Sequence, residues 1–319
     1  MDEFELIKNY FQKLTKNNPS ALKLNDDVFF DKKNKIVLSV DTYNEGIHYL
    51  NFKTPELVIK KIIRSSISDL ICKGVKPKYF LLSGSGNKKI FNKKNLNLIS
   101  QAINEEQTKY NIMLSGGDTS VSKISSFTIV SLGFSKNIVR RNNVKKYDDI
   151  YVTGNLGDSY IGLNILKKKI NINNKFNNYF IRKYYLPDLP FILHKYLIKI
   201  ANSSIDISDG LFADLNKLIN NQKIGYIVNL DKIPISKNLN NYLKKNNKKS
   251  LNFISRGDDY QVLFTSSKKN RIYIKKLSKR INLKITKIGT TTNIYKQRKI
   301  INHKKYLKSL NYQGYSHKF

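Results

Sequence analysis

The chain has 319 residues, 40% of them hydrophobic and 11% aromatic, enough for two ordinary domains with cores of their own. Lys and Arg number 58 against 23 Asp and Glu, a formal charge of +35, and the single cysteine, Cys72, excludes an intrachain disulfide framework and a cysteine zinc site. No window approaches the run of about 18 apolar residues that a membrane span needs. The acidic start "MDEFELIKNYFQKL" lacks the basic-then-apolar order of a secretory signal, so a cytoplasmic protein is expected.

That first stretch reads as an amphipathic helix. "LNDDVFF" follows, then the β-rich "KIVLSVDTYNEGIHY", which breaks at Asn44, Glu45 and Gly46. In "TPELVIKKIIRSSISDLICKG", Thr54 is the expected N-cap, Pro55 the first helical residue and Gly74 the stop. Leu57, Ile59, Ile62, Ile63, Ile67 and Leu70 recur at helical spacing, while Ser65 and Asp69, four apart, share a more polar face. "KPKYFLLSGSG" reads as a strand, residues 91–109 as a helix, "NIMLSGGDTS" as a strand ending in a glycine turn, and "SSFTIVSLGF" as another strand. The order β-α-β-α-β-β indicates a mixed α/β or α+β domain.

Polar, basic "SKNIVRRNNVKKYDD" (135–149) is the candidate boundary, after which the pattern restarts as strand, glycine turn and helix in "DIYVTGNLGDSYIGLNILKKK". "PFILHKYLIKIA" reads as helical, "GYIVNL" and "YQVLFTS" as strands. Two α+β domains are predicted, 1–140 and 141–319, without internal repeats.

The lysines are scattered rather than gathered into one dense arm, and Lys, Asn and Ile are abundant together. Residue usage biased across a whole genome accounts for this better than nucleic-acid recognition does, with a general attraction for anionic substrates as a milder role. No specific nucleic acid and no membrane is expected as a partner.

In so basic a chain, the placement of the few acids carries more. Asp26 and Asp27 are adjacent, Asp41 ends a strand, Asp69 lies on a helix and Asp118 follows Gly116-Gly117. Asp206, Asp209 and Asp214 crowd into "SSIDISDGLFADL", and Asp258 and Asp259 into "RGDDY". Nearly all stand beside Gly, Ser or Thr at predicted element ends, where ligands enter. Each alone has a plain structural reading: an Asp pair is a solvated turn, and Asp69 pairs with Arg64 or Lys73 on an exposed face. Asp214 is a surface or capping acid, and His48 a surface or packed histidine. Collectively, converging carboxylates repel unless a cation neutralises them, and oxygen-only ligands suit Mg²⁺ with substrate phosphates. Phosphoryl transfer from a nucleotide is the chemistry this suggests. There is no G-x-x-x-x-G-K-[ST] loop, dinucleotide loop, H-R-D/D-F-G set or G-x-S-x-G elbow.

Taken in order, "NDDVFF", "LSVDTYNEGIHY", "SISDLICKGVKPKYFLLS", "LSGGDTS", "IYVTGNLGDSYIGL", "SSIDISDGLFADL", "RGDDYQVLFT" and "YQGYSHKF" resemble thiamine-monophosphate kinases from about residue 4 to the C-terminus. The resemblance implies transfer of the ATP γ-phosphoryl to thiamine monophosphate. It also implies the two-domain α+β fold shared with aminoimidazole ribonucleotide synthetase and selenophosphate synthetase, in which the N-terminal β-sheet domain forms a homodimer. ATP phosphates would lie over several Mg²⁺ ions. Position by position, Asp27, Ser39, Val40, Asp41, Asp69, Asp118, Asp206 and Asp209 fall on metal ligands. Gly117, Asp118 and Ser208 fall on nucleotide contacts, Arg141 on the arginine meeting the ATP phosphates, and His48, Asp258 and Tyr312 on substrate contacts. Asp27, Asp41, Asp69, Arg141 and Asp206 are the expected catalytic set.

Four positions depart from the family pattern. Val40 replaces Thr, keeping a backbone carbonyl for the ion, and Ser66 replaces Asn. "RGDDY" replaces "GGEDY", shortening the substrate-side acid and adding Arg256, and Tyr312 replaces Trp.

A phosphate acceptor with a second pKa of about 6 needs no strong base, which fits a chain with four histidines. Direct in-line transfer is expected, with Mg²⁺, Arg141 and lysines offsetting the repulsion of two anions. Alternatives are another ATP-dependent enzyme of the same fold or, in a different class, a basic nucleic-acid-binding protein. A selenophosphate synthetase would use a reactive cysteine near the N-terminus.

Overall fold

Period-two alternation in "IVLSVDTYN" and "SFTIVSLGF" builds the centre of the first sheet. The computed structural model describes residues 3–172, 174–220, 222–295, 297–302, 305–307 and 314–315. Helix α1 (Glu3–Leu6) passes into a π-helical turn at Ile7–Phe11 and a 3₁₀ turn at Gln12–Thr15. The expected amphipathic helix is thus a run of short pieces. Tyr10, Phe11 and Leu14 stay exposed, and a helix this short is marginal in water.

Strands β1 (Phe29–Asp31) and β2 (Ile36–Asn44) are followed by helix α2 (Pro55–Cys72), β3 (Pro77–Gly86) and helix α3 (Lys93–Tyr110). The short strands β4 (Met113–Leu114) and β5 (Thr119–Val121) precede β6 (Ser126–Phe134). The sheet runs β1-β2-β6-β3-β4, with β5 also pairing β3. β2 and β6 are antiparallel over their whole length, Ile36 opposite Phe134 and Asn44 opposite Ser126.

Helix α2 lies across this sheet. Pro55 opens it as expected, but the Thr54 hydroxyl makes no capping bond. Gly74 stops it at φ +76°, a left-handed position where glycine carries no Cβ penalty. Val58, Ile59, Ile62, Ile63 and Ile67 are all at most 1% exposed and form the first core with Phe80, Phe127 and Ile129.

The other sheet begins with β7 (Asp149–Thr153), and helices α4 (Asp158–Leu166), α5 (Asn174–Tyr185) and α6 (Leu197–Ile200) come before β8 (Ser203–Asp206). "PFILHKYLIKIA", expected as one helix, is a 3₁₀ turn at Phe191–Lys195 and then α6. Next come α7 (Leu211–Ile219), β9 (Gly225–Asn229), α8 (Lys237–Lys245), α9 (Leu251–Ile254) and β10 (Val262–Ser266). Helix α10 (Arg271–Arg280) and strands β11 (Ile285–Thr292), β12 (Arg298–Asn302) and β13 (Lys305–Leu307) finish the described chain. The order is β13-β12-β9-β11-β7-β10-β8, antiparallel except for β12 with β9.

The first core continues through Tyr184 of α5, Leu193 of the 3₁₀ turn and Leu197 of α6 to Val262 and Phe264 of β10. Among the described residues, no helix is long and apolar enough to cross a membrane.

Candidate active site

Helix α2 has a second face. Lys61, Ser65, Ser68 and Cys72 follow each other at intervals of three and four residues, all buried. That stripe meets the second sheet domain: the Ser68 hydroxyl donates to Asp206 Oδ2 at 2.5 Å, the Ser204 hydroxyl donates to the Cys72 carbonyl, and Lys73 Nζ donates to the Ser204 carbonyl at 2.9 Å. Asp69, one residue beyond Ser68, is directed at the middle of β2, where the Ser39 hydroxyl donates to its Oδ2 at 2.5 Å.

Three segments therefore converge. Asp27 from the turn before β1, Asp69 from α2 and Asp206 from the end of β8 each offer a carboxylate oxygen within 4.8 Å of the others. Asp41 stands beside them, with its Oδ2 3.3 Å from the Tyr43 hydroxyl and 3.5 Å from that of Ser39. Burial, then the Asp206 charge, pushes Asp41 up to about 7 against the hydroxyls of Tyr43, Ser66 and Ser39. Burial with Asp41 and Asp206 raises Asp69 well above the usual carboxylate range. Asp206 is raised by burial, opposed by Ser68 and by the charges of Arg141 and Lys73. Carboxylates so placed are under-neutralised. An all-oxygen donor set of Asp27, Ser39, Asp41, Asp69 and Asp206 fits a hard divalent cation such as Mg²⁺.

Asp27 differs from its neighbours in already meeting cations. Arg141 Nε donates to its Oδ2 at 3.0 Å, the Arg141 fork closes on Oδ1, and Lys73 Nζ lies 2.6 Å from Oδ2. Asp26, read as half of a solvated pair, is engaged as well: it accepts from the Arg141 backbone N–H at 3.0 Å and meets Lys73 at 2.7 Å. Neither plain reading of Asp69 holds, since Arg64 pairs with Glu106 in the interior and Lys73 with Asp26 and Asp27, while Asp69 itself takes Ser39.

The "SDG" turn after β8 holds Ser208 and Asp209. Asp209 contacts Lys217 and lies outside the converging group, and the Ser208 carbonyl accepts the Asp258 N–H at 2.8 Å. Asp214 is not a surface acid. It is 0% exposed, and its Oδ2 accepts the backbone N–H groups of Asp209 and Gly210 at 3.0 Å each, so it shapes the turn. Val40 is exposed on β2.

Gly117 and Asp118 sit in the exposed stretch between β4 and β5. A Cβ on Gly117 would lie 1.9 Å from the Leu82 carbonyl oxygen, so glycine alone lets this turn lie against β3. The Asp118 carboxylate makes no hydrogen bond or ion pair among the described residues.

On the acceptor side, Asp258 Oδ1 is 2.7 Å from Lys61 Nζ and accepts from the Tyr260 hydroxyl at 3.0 Å. Lys61 also donates to the Tyr184 carbonyl at 3.2 Å, with its ammonium 4.0 Å from the Tyr184 ring centre. The Tyr184 hydroxyl donates in turn to the His48 carbonyl at 3.3 Å. His48 Nδ1 accepts the Asn44 N–H at 2.9 Å, which fixes its ring. Arg256 is exposed and packs over Tyr160 at 5.6 Å. Tyr312 lies outside the described residues.

Lys61, Ser68 and Lys73 were missed from sequence. The one available signal was a polar stripe on an otherwise apolar helix.

A family model described as AIR synthase related protein, N-terminal domain, matches residues 24–134. The thiamine-monophosphate kinase of Buchnera aphidicola subsp. Schizaphis graminum is 38% identical over 315 residues, covering 95% of this chain and 95% of its own. That of Buchnera aphidicola subsp. Acyrthosiphon pisum is 38% identical over 320 residues, covering 95% and 97%. The structure of AaThiL complexed with AMPPCP and TMP superposes with a TM-score of 0.84 at 27% identity, over 99% of this chain and 97% of that one.

Proposed function

The chain belongs to the thiamine-monophosphate kinase family, and we propose that it transfers the terminal phosphoryl group of ATP directly to thiamine monophosphate, releasing thiamine diphosphate and ADP. The observation that carries this reading is the convergence of Asp27, Asp69 and Asp206 within 4.8 Å.

Asp27, Ser39, Val40 through its carbonyl, Asp41, Asp69, Asp118, Asp206 and Asp209 would hold the divalent ions. Bound there, Mg²⁺ supplies charge neutralisation of the nucleotide phosphates. Arg141, held on Asp27 beside the converging carboxylates, would bring its guanidinium to the triphosphate. Ser208 and Gly117 offer hydroxyl and backbone groups to the nucleotide. Asp258, with one oxygen engaged by Lys61, has the other for the cationic half of the acceptor, and His48 and Tyr312 flank it. No general base is required, because the acceptor phosphate is largely ionised at neutral pH. The buried Cys72, its thiol pushed well up by burial, gives no support to chemistry that uses a cysteine nucleophile.

We assign residues 1–140 to nucleotide and ion binding and 141–319 to the second α+β domain, in a cytoplasmic protein. The same reading includes a homodimer through the uncovered face of the first sheet. There Val130 has Val40 and Leu81 as cross-strand neighbours, and Leu132 has Leu38 and Tyr79. An apolar patch of that kind, with Val40 60% and Leu114 42% exposed, is what a second copy would cover.

The test is ADP release by the purified protein with ATP, Mg²⁺ and thiamine monophosphate, with thiamine diphosphate identified by chromatography. Turnover that needs both the monophosphate and Mg²⁺ is expected. ATP binding without turnover would overturn the assigned acceptor.

A further inference from the structure

Lys73 follows the last turn of α2 with its side chain 0% exposed. All three of its ammonium protons have oxygen partners: Asp26 Oδ1 at 2.7 Å, Asp27 Oδ2 at 2.6 Å and the Ser204 carbonyl at 2.9 Å. A lysine is almost never fully buried unless it is paired, so this charge is held in place by design of its surroundings. Burial by itself would depress its pKa, but the charges of Asp26 and Asp69, the Cys72 thiol and the hydrogen bond to Asp26 together outweigh that effect and raise it.

The carboxylates of the site are treated unequally. Asp69 and Asp206 receive neutral hydroxyls, from Ser39 and Ser68, and Asp41 receives that of Tyr43. Asp26 and Asp27 receive Lys73, and Asp27 also receives the Arg141 guanidinium. One edge of the cluster is thus charge-compensated by the chain, and the other is not.

We infer that Lys73 is a tethered cation of this site. It occupies the Asp26–Asp27 edge permanently, so that edge recruits no divalent ion of its own. Divalent ions then bind towards Asp41, Asp69 and Asp206, with Asp27 as a ligand whose charge is already compensated. An ammonium fixed to the helix needs no free metal to fill it. By repulsion it also weakens divalent binding next to it. The inference rests on the divalent-ion site proposed above, but it concerns ion loading rather than the acceptor.

The experiment uses the full chain and Mg²⁺ alone, followed by thermal melting and by calorimetric titration. In Lys73→Met the cluster gains a net negative charge. The variant is expected to melt lower than wild type without Mg²⁺, to bind Mg²⁺ about tenfold more tightly or to take up an additional ion, and to recover more of its melting temperature on saturation. A drop in melting temperature that is the same at zero and saturating Mg²⁺, with unchanged affinity and stoichiometry, would make Lys73 a structural tie and overturn the role. Should Lys73→Met fail to fold, Asp26→Asn decides. It removes a carboxylate and leaves the ammonium, so Mg²⁺ binding is expected to weaken several-fold, and unchanged binding overturns the role. No Mg²⁺ response in wild type would overturn the divalent-ion site and this inference together. The acceptor assay, which reads product, can fail independently.

Discussion

The Ser68 hydroxyl and the Asp206 carboxylate meet at 2.5 Å across 138 positions of sequence, joining α2 to the end of β8. A hydrogen bond to a buried charged group is worth about 1.5–3 kcal/mol. Ser68→Ala is therefore expected to lower kcat/KM by about tenfold. Combined with Asp206→Asn, it should add little, because the hydroxyl acts through that carboxylate. Fully additive losses in the double variant would separate the two.

Asp206→Asn and Asp214→Ala should fail in different ways. Removing a charge from the converging carboxylates is expected to cost roughly two orders of magnitude or more in turnover while leaving the metal-free melting temperature the same or higher. Asp214→Ala strands the buried Gly210 N–H and removes the partner of the half-buried Asp209 N–H, at about 1–3 kcal/mol of stability. Melting curves beside single-point activities distinguish them, and a large stability loss in Asp206→Asn would contradict the site.

Lys61→Met is expected to raise KM for thiamine monophosphate by about tenfold while nucleotide affinity stays near wild type. Its ammonium orients Asp258 and touches nothing assigned to ATP. Equal effects on both substrates would show a general loosening of α2.

Asp149, which is not one of the converging carboxylates, provides a pH test. Burial works to raise it, but the Arg271 guanidinium, 2.8 Å from Oδ1, and the Lys287 ammonium at 2.7 Å outweigh this and hold its pKa below the usual 3.8. A folded pKa below the unfolded one gives stability that is complete above the ordinary carboxylate range and lost as pH falls through the lower folded value. Asp149→Asn should cost about 1–3 kcal/mol at pH 7. The gap to wild type should close in strongly acidic solution, below about pH 3. Parallel melts from neutral to acid pH give the comparison, and a constant gap would assign the effect to packing.

Much of the site was visible in the chain because Asp27, Asp69 and Asp206 sit beside small or turn-forming residues in motifs whose order is itself specific. What escaped notice was decided by partners distant in sequence. Lys61 finds Asp258 at a separation of 197 residues, and Lys73 reads as one more basic residue until the loop of Asp26 and Asp27 folds over it. Asp214 misled for a similar reason. Its helix has a polar side, but the chain at Ser255 packs on Gly210, where a Cβ would lie 2.4 Å from the Ser255 carbonyl oxygen, and Asp214 itself is 0% exposed. The first helix was overread because amphipathic spacing says nothing about whether a surface exists to receive it.

Since one helix carries both the inner lining of the first sheet and the contacts to the second, its two faces are mechanically one part. Ile63 and Ile67 are at most 1% exposed on the apolar side, and Ser68 and Asp69 lie within a turn of the latter. Trimming Ile67 to a smaller side chain lets α2 settle into the void, and the carboxylate a few ångströms away moves with it. Some lesions in the oily interior of this protein will therefore first be noticed as slow enzymes, before any loss of folded protein is detected.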